Sequence, residues 1–324
     1  MQRIYLIILL IFALTSKTLA QEFCFSQYYL DKLSISPAFA ALGDYSEIGV
    51  IVRNQWPKIE NGYKIFSAEY QQKLPSISSG IAVRISGSTS GGAYKELRPS
   101  AIYAYGFSLS QKWKCSLGME LSYLSRSLDQ SKLVYYSMID PATGEISALN
   151  DVAEKTGYGN LNFSAGGLVY SKKTVFALGV FRLTTFDVIK NGNTAPLLLT
   201  GLINHKIVLA KRAEKNKIKE SFLVPSVCFS HSQIADMIMP GIYLYSKRLS
   251  GSLAYRFQKS DYVTNTLITG IGFNFGQIEI GFGFDFYLGA FNTAVKSASE
   301  AGIKYKFENS EKNKGSKTIL CPAF

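Results

Sequence analysis

The sequence predicts an all-β fold: a transmembrane, antiparallel, up-and-down β-barrel of about 14 strands. Three observations predict it: side-chain chemistry that alternates, a composition rich in aromatic residues and glycine, and connections that alternate between short and long. The alternation is clearest over residues 263–289, where Phe282 and Phe284 alternate with Gly283 and Asp285. Successive side chains of a strand point to opposite faces, so one face is hydrocarbon and the other is small or polar. In an outer-membrane barrel the first face meets lipid and the second faces the lumen.

The composition is typical of a membrane β-barrel rather than of a helical membrane protein. The 324 residues include 21 Phe, 20 Tyr and 27 Gly, and charged residues make up 18%. No interior run of about 18 apolar residues could form a transmembrane helix. The formal net charge is +12, but the basic residues are scattered singly, without the Lys/Arg-rich block that binds nucleic acid. The charge therefore points to lipid headgroups or an acidic partner, and nucleic acid is not expected.

The start of the chain has the features of a secretory signal peptide: a basic residue at Arg3, an apolar core and a cleavage site with a small residue. The stretch that follows does not alternate and contains Pro37, so we expect an extended or partly helical segment on the periplasmic side, ahead of the first strand. The predicted organisation is a signal peptide over 1–20, a periplasmic N-terminal segment over 21–42, an outer-membrane barrel over 43–308 and a periplasmic C-terminal tail over 309–324.

The strands and their connections can be assigned along the chain. Candidate strands lie near residues 43–56, 63–73, 77–87, 97–110, 112–126, 158–171, 174–187, 197–211, 219–232, 236–248, 250–260, 263–275, 277–289 and 299–308. Links from even- to odd-numbered strands are short except at 213–218, whereas links from odd- to even-numbered strands include all the long ones, above all 127–157. Bacterial barrels have short periplasmic turns and longer outer loops. Both termini are therefore expected in the periplasm.

Several charged residues face the lumen by the parity of the strands. They are Glu69, Arg84, Glu120, Arg256, Glu279 and Asp285. Opposite charges there would pair and fill the interior, or would line a selective pore; filling is favoured for a barrel between the small filled barrels and the aqueous porins. The strands near 174–187 and 197–211 are apolar on both faces, which a plugged lumen would allow. Trp56 and Trp113 are expected in the two interfacial aromatic girdles.

Several blocks of residues together resemble the PorP/SprF family of outer-membrane proteins, which is associated with the type IX secretion system of Bacteroidetes. The blocks are FSQYY at 25–29, SPA at 36–38, RNQWP at 53–57, IDPATG at 139–144, FSAGGLVY at 163–170 and CPAF at 321–324. They span nearly the whole mature chain in the expected order. The sequence differs from the family pattern at Ser36, where Asn is usual, and at residues 183–186.

The resemblance implies a non-enzymatic component of the type IX secretion or gliding machinery. Such barrels look like anchors that help to export a surface protein and attach it to the cell by protein–protein binding. The implied partners are outer-membrane lipid, periplasmic ring and lipoprotein components of the secretion system, and an exported surface protein, such as an adhesin, with a C-terminal sorting domain. The alternative function is an outer-membrane channel for small molecules, either porin-like or selective.

The candidate partner or structural residues lie in the blocks that carry the resemblance. They are Arg53, Asn54, Gln55, Trp56, Asp140 and Gly144. Arg53 offers a planar fork of donors and its neighbours offer amides, a set that can hold backbone or carboxylate groups. This block either contacts a partner or plug, or makes internal hydrogen bonds that steady the first strand.

The cysteines and histidines indicate no chemistry beyond one possible disulfide. Cys24 and Cys321 precede the first strand and follow the last one, which are neighbours in a closed barrel, so the two could pair in an oxidising compartment. Cys115 and Cys228 lie in separated strands and are expected to be unpaired. The two histidines belong to no hydrolase motif, and no metal-ligand spacing is present. We expect no catalytic residue, metal or cofactor.

Overall fold

The computed structural model describes residues 25–42, 45–134, 138–140, 143–145, 156–187, 196–214, 217–246, 248–259, 263–289 and 297–308. Its strands are β1 Tyr45–Gln55, β2 Tyr63–Leu74, β3 Ser79–Ser90, β4 Tyr94–Ser108, β5 Lys114–Leu128, β6 Thr156–Tyr170, β7 Thr174–Asp187, β8 Leu198–His205, β9 Ile207–Glu214, β10 Lys217–Ser232, β11 Asp236–Ser246, β12 Leu249–Lys259, β13 Val263–Asn274, β14 Ile278–Leu288 and β15 Ser297–Glu308. Short 3-10 helices occupy Tyr28–Leu30, Lys32–Ser34, Pro37–Ala41, Pro75–Ile77 and Gln130–Lys132. Within these ranges no helix is long and apolar enough to cross a membrane.

The strands form one closed antiparallel barrel. Each strand pairs with the next along the chain except β8, which pairs with β10 and not with β9. β15 pairs with β1, where Arg53 lies directly opposite Glu300. β8 and β9 are two halves of a single barrel strand, since both pair with β10 and only Lys206 separates them. The wall therefore contains fourteen strands in up-and-down order, which confirms the predicted fold class.

The two ends of the barrel differ in their connections. At one end, the short-link end, the connecting segments are 75–78, 109–113, 171–173, 215–216, 247–248 and 275–277. At the other, the long-loop end, they include 56–62, 188–197, 289–296 and the longest, 129–155. β1 begins and β15 finishes at the short-link end, because an even number of antiparallel crossings returns the chain to the side where it started.

The two faces of the wall have the chemistry that alternation predicted. Phe282, Phe284 and Phe286 are exposed on the outside, whereas Glu279 and Asp285 of the same strand are buried inside. All six charged residues assigned to the lumen by parity are buried. With no water in a bilayer to satisfy backbone groups, a closed sheet with an apolar exterior is one of the few structures that can span it.

The burial of the N-terminal segment was not predicted from the sequence. The segment was expected ahead of the barrel on the periplasmic side; its described part, residues 25–42, packs inside the barrel, with Leu33 and Ala38 completely buried. The physical reason is that this segment carries apolar side chains that a wet position would expose. It also explains why β7 and β8 are apolar on both faces: their inward Val175, Ala177 and Leu202 pack in the same cluster as the segment.

Candidate functional site

The candidate site is the interior of the barrel, where residues 25–42, the lumenal segment, are held by the wall. The segment consists of three short 3-10 helices joined by single residues or pairs. Ser36 caps the third helix: its Oγ accepts a hydrogen bond from the Ala38 N–H at 3.3 Å, and Pro37 occupies the first helical position. Proline is favoured there because its fixed φ suits a helix start and its missing N–H would have had no partner. These turns fold the segment compactly enough to fit within the wall.

Glycines of the wall allow the backbone of the segment to approach closely. A Cβ added to Gly80 would lie 2.5 Å from the carbonyl carbon of Ala40, and one added to Gly118 would lie 2.5 Å from that of Pro37. Both distances are shorter than any real carbon contact, so a side chain at either position would have to displace the segment. Gly179 meets the segment backbone in the same way, at the Ile35 carbonyl oxygen. Side chains of the segment, in place of its backbone, lie against Gly166, Gly281, Gly283 and Gly302.

Hydroxyl groups of the wall satisfy backbone carbonyls of the segment. Thr200 Oγ1 donates to the Ile35 carbonyl at 2.6 Å, and Ser116 Oγ donates to the Ala38 carbonyl at 2.8 Å. In the opposite direction, Ser36 Oγ donates to the Leu178 carbonyl of β7 at 2.9 Å. A buried carbonyl without a partner costs the desolvation energy of the group, so these bonds fix the segment in one position.

The start of the segment binds a cluster of four charged residues from β1, β12, β14 and β15. Arg53 Nη1 lies 2.6 Å from Glu300 Oε1 and 2.8 Å from Asp285 Oδ2, and Arg256 Nη1 lies 3.2 Å from the same Asp285 oxygen. Glu300 in turn accepts the backbone N–H groups of Ser26 at 2.8 Å and Gln27 at 2.9 Å. Two guanidinium groups and two carboxylates cancel in charge, which is the condition under which buried ions are tolerated.

The Ser26 hydroxyl completes this arrangement. It donates to Asp285 Oδ2 at 2.8 Å and accepts a hydrogen bond from Arg53 Nη1 at 3.0 Å and another from Arg256 Nη2. A single small side chain of the segment thus contacts three of the four charged residues. We call these four residues and Ser26 the Arg53 cluster.

Two further ion-pair groups lie inside the wall. Arg84 Nη2 of β3 donates to Glu120 Oε1 of β5 at 3.0 Å, and Arg84 Nη1 lies 3.8 Å from Asp31 of the segment. Lys304 Nζ of β15 lies 3.1 Å from Glu47 and 3.3 Å from Glu69. Lumen charges are therefore paired across strands, as the filled-lumen interpretation predicted.

The sequence block Arg53 to Trp56 divides between two faces of the wall. Arg53 and Gln55 point inward and are buried, and Arg53 Nη2 donates to Gln55 Oε1 at 3.4 Å and to the Tyr287 hydroxyl at 3.1 Å. Asn54 has the opposite parity and lies half-buried on the outer face near the long-loop end, and Trp56 follows the strand with a left-handed φ of 58°. The structure thus brings two of these four residues into one site.

Asp140 and Gly144 lie elsewhere, in a turn of the long loop. The Gly144 N–H donates to the Asp140 carbonyl at 2.8 Å, and the Thr143 N–H donates to Asp140 Oδ1 at 3.3 Å. Gly144 has a φ of 71°, in the left-handed region that favours glycine. Both residues are exposed, so this turn forms part of the surface at the long-loop end.

Two of the four cysteines and both histidines lie within the described residues. Cys115 and Cys228 are buried thiols that form no disulfide, as expected. Cys24 and Cys321 lie outside the described residues, so their pairing remains a prediction. His205 Nδ1 lies 2.8 Å from Thr174 Oγ1 on the outer face. Among the described residues, no group of three His, Cys, Asp or Glu side chains is arranged to hold a metal ion.

The sequence analysis did not identify several residues of the site, namely Ser26, Asp31, Glu47, Glu300 and Lys304. Glu300 and Lys304 are inward by parity in the last strand and could have been added to the lumen charges by the same rule. Ser26 lies in the FSQYY block of the family resemblance, but its place in the lumen was not predicted, because a serine in a non-alternating stretch fits many environments.

The fold and its filled interior define a class: an outer-membrane β-barrel with a segment of its own chain in the lumen. A sequence profile of the type IX secretion system membrane proteins PorP/SprF matches residues 18–305. The chain therefore belongs to the PorP/SprF family, and it is a membrane component of the type IX secretion system.

The chain is similar to several solved structures at low identity and with TM-scores below 0.5. A FadL homologue of Pseudomonas aeruginosa is 8% identical with a TM-score of 0.47, over 84% of this chain and 92% of that one. The toluene transporter TodX of P. putida is 9% identical with a TM-score of 0.48, over 89% and 95%. CdiB from Acinetobacter baumannii is 10% identical with a TM-score of 0.39, over 82% of this chain, which spans 60% of the CdiB chain. No curated protein matches the sequence significantly.

Removal of the Arg53 guanidinium should destabilise the barrel strongly. Arg53→Ala leaves Glu300 and Asp285 buried with too little positive charge, and breaking a buried pair in this way costs about 3–5 kcal/mol. The measurement is the free energy of unfolding in urea of protein folded into lipid vesicles. Arg248→Ala, an exposed arginine in a short link, is the matched control and should change it by about 0.5 kcal/mol or less. Equal losses in the two variants would contradict the role given to Arg53.

Proposed function

We propose that the protein is an outer-membrane anchor of the type IX secretion machinery that helps to export a surface protein and attach it to the cell by protein–protein binding. Its partners on the inner side are the periplasmic ring and lipoprotein components, and on the outer side an exported protein with a C-terminal sorting domain. It acts by binding and not by catalysis. The observation that carries the proposal is the family match over residues 18–305.

The filled lumen supports binding over transport. A channel for small molecules needs a wet path between the two ends, but the lumenal segment packs against both apolar and charged parts of the wall. Between Tyr29, Leu30 and the wall of β10 to β14, the space left is about 40 Å³. That is room for one or two water molecules. Partner contacts are then expected on the connections at the two ends of the barrel.

We further propose that the short-link end and both termini face the periplasm, and that the long-loop end faces outward. Bacterial barrels place their short turns in the periplasm and their longer loops outside. Under this orientation, the turn of Asp140 and Gly144 is on the cell surface, where an exported protein would meet it. The chain ends lie beside the periplasmic machinery.

The orientation can be tested with two single cysteines. Lys58, in the first long-loop connection, and Lys172, in a short link, are both exposed lysines. On intact cells a membrane-impermeant maleimide should label Lys58→Cys and leave Lys172→Cys unlabelled until the outer membrane is broken. The native Cys115 and Cys228 are buried, and the unmodified chain measures any background. Labelling of Lys172→Cys alone on intact cells would contradict the orientation.

Partner binding at the long-loop end can be tested by affinity purification from native membranes with mass spectrometry. Gly144→Val puts a branched residue at positive φ, which costs about 1–2 kcal/mol locally and should reduce recovery of the exported partner about ten-fold. Periplasmic components should be recovered as with the unmodified chain. The matched control is Gly91→Val, since Gly91 also has positive φ (59°) and open space around it, in another turn of the same end. The proposed role of the turn fails if both variants recover the exported protein equally.

A further inference from the structure

A groove of about 750 Å³ crosses the outer face of the wall over β8 and β10 to β13. Its lining includes Ile203, Val227, Ile242, Leu253 and Leu267, which point outward because their chain neighbours point into the lumen. The volume is in the range of about 300–1,000 Å³ found for small-molecule sites. This surface is the one that faces hydrocarbon, so any occupant must be apolar along most of its length.

Two prolines interrupt the hydrogen-bond ladders on either side of the β10–β11 pair. On one side, β10 pairs with β8 as far as Ser226, which is opposite Asn204, and its pairing with β9 begins at Leu223, which is opposite Ile207. The gap between these two ladders contains Pro225. This gap is also where β8 gives way to β9. Proline has no N–H to donate to a ladder, and in the interior of a sheet it removes a bond.

The second interruption lies on the other side of β11. Pairing of β11 with β12 stops at Ile238 opposite Phe257 and resumes at Gly241 opposite Ala254, so this gap contains Pro240. Both prolines line the groove. The groove therefore lies where both ladders are interrupted.

The groove follows a row of residues across five neighbouring strands. The residues are directly opposed except at Pro240 and Tyr255, where the pairing of β11 with β12 is interrupted. Ile203 is opposite Val227, Val227 is opposite Pro240, and Tyr255 is opposite Leu267. Four strand spacings of about 4.8 Å give a row roughly 19 Å long. The row begins beside Thr174, the first residue of β7 at the short-link end, which lies opposite His205. It reaches the middle of β13, so it runs obliquely from the short-link end of β7 into the membrane span.

Polar and basic groups stand where the groove reaches the short-link end. Thr174 and His205 line it there and are hydrogen-bonded to each other at 2.8 Å. The neighbouring link carries the exposed Lys172 and Lys173. The Trp113 ring lies 6.1 Å from the Phe176 ring beside this rim, and tryptophan marks the depth at which headgroups begin.

We propose that this groove binds one glycerophospholipid, with an acyl chain along the row from Ile203 to Leu267 and the phosphate at the rim of Thr174, His205 and the two lysines. The apolar length suits a chain, and the basic rim suits an anionic phosphate. A single row has room for one or two acyl chains, whereas a lipid A molecule carries several acyl chains on one headgroup. The bound lipid fills the concavity that Pro225 and Pro240 line.

The test uses the full-length protein reconstituted in bilayers of phosphatidylglycerol and phosphatidylethanolamine, extracted into mild detergent and examined by native mass spectrometry. Val227→Trp places an indole in the groove and should lower the fraction that retains a phospholipid about ten-fold. The matched control, Val83→Trp, changes an outward, 56% exposed valine of β3 on another part of the wall, and should retain lipid as the unmodified chain does. Heat-modifiable migration on gels shows that each variant is folded, and Val227→Phe replaces Val227→Trp if the latter is not.

Two results would overturn the proposal. One is equal lipid retention by the groove variant and the control, which would mean that the retained lipid sits elsewhere. The other is a photo-crosslinker at Ile242 that captures a protein in native membranes and no lipid, which would make the groove a protein interface. Loss of lipid from the groove variants alone, with lipid captured at Ile242, supports the proposal.

Discussion

The ion pair between Arg53 and Glu300 lies at the seam where the first and last strands close the barrel, and much of the interior depends on it. The two residues are directly opposed in the β1–β15 register and 2.6 Å apart. Glu300 also accepts the first two hydrogen bonds of the lumenal segment. The ion pair across the β1–β15 seam therefore also holds the start of the lumenal segment.

The need to pair buried charges inside the barrel favours a filled lumen. Ions inside a low-dielectric barrel are stable only when paired and hydrogen-bonded, and each described group joins residues from different strands. Asp31 extends the Arg84 group into the segment, as Ser26 extends the Arg53 cluster. The segment thus fills the lumen of the barrel. The surfaces that remain for partner recognition are the connections at both ends and the lipid-facing surface. This is the physical basis for the proposal that the barrel binds partners and does not act as a pore.

The wall was largely predictable from the sequence, because lipid outside and polar groups inside impose a period of two on every strand. The same parity placed Glu69, Arg84 and Asp285 in the lumen correctly. The position of the lumenal segment was not predictable in this way, since consecutive 3-10 turns have no such period. The indirect signal was the apolar inward face of β7 and β8, which requires an apolar filling. Arg53 was identified as a site residue, but its partner Glu300 is 247 positions away and only the barrel register brings them together.

Hydrogen–deuterium exchange of the membrane-reconstituted protein tests the central claim most directly. If the segment is held inside by the Arg53 cluster and the wall hydroxyls, peptides covering residues 25–42 should exchange as slowly as peptides from the strands. Exchange over these residues at the rate of an unstructured peptide, while the strands remain protected, would contradict it.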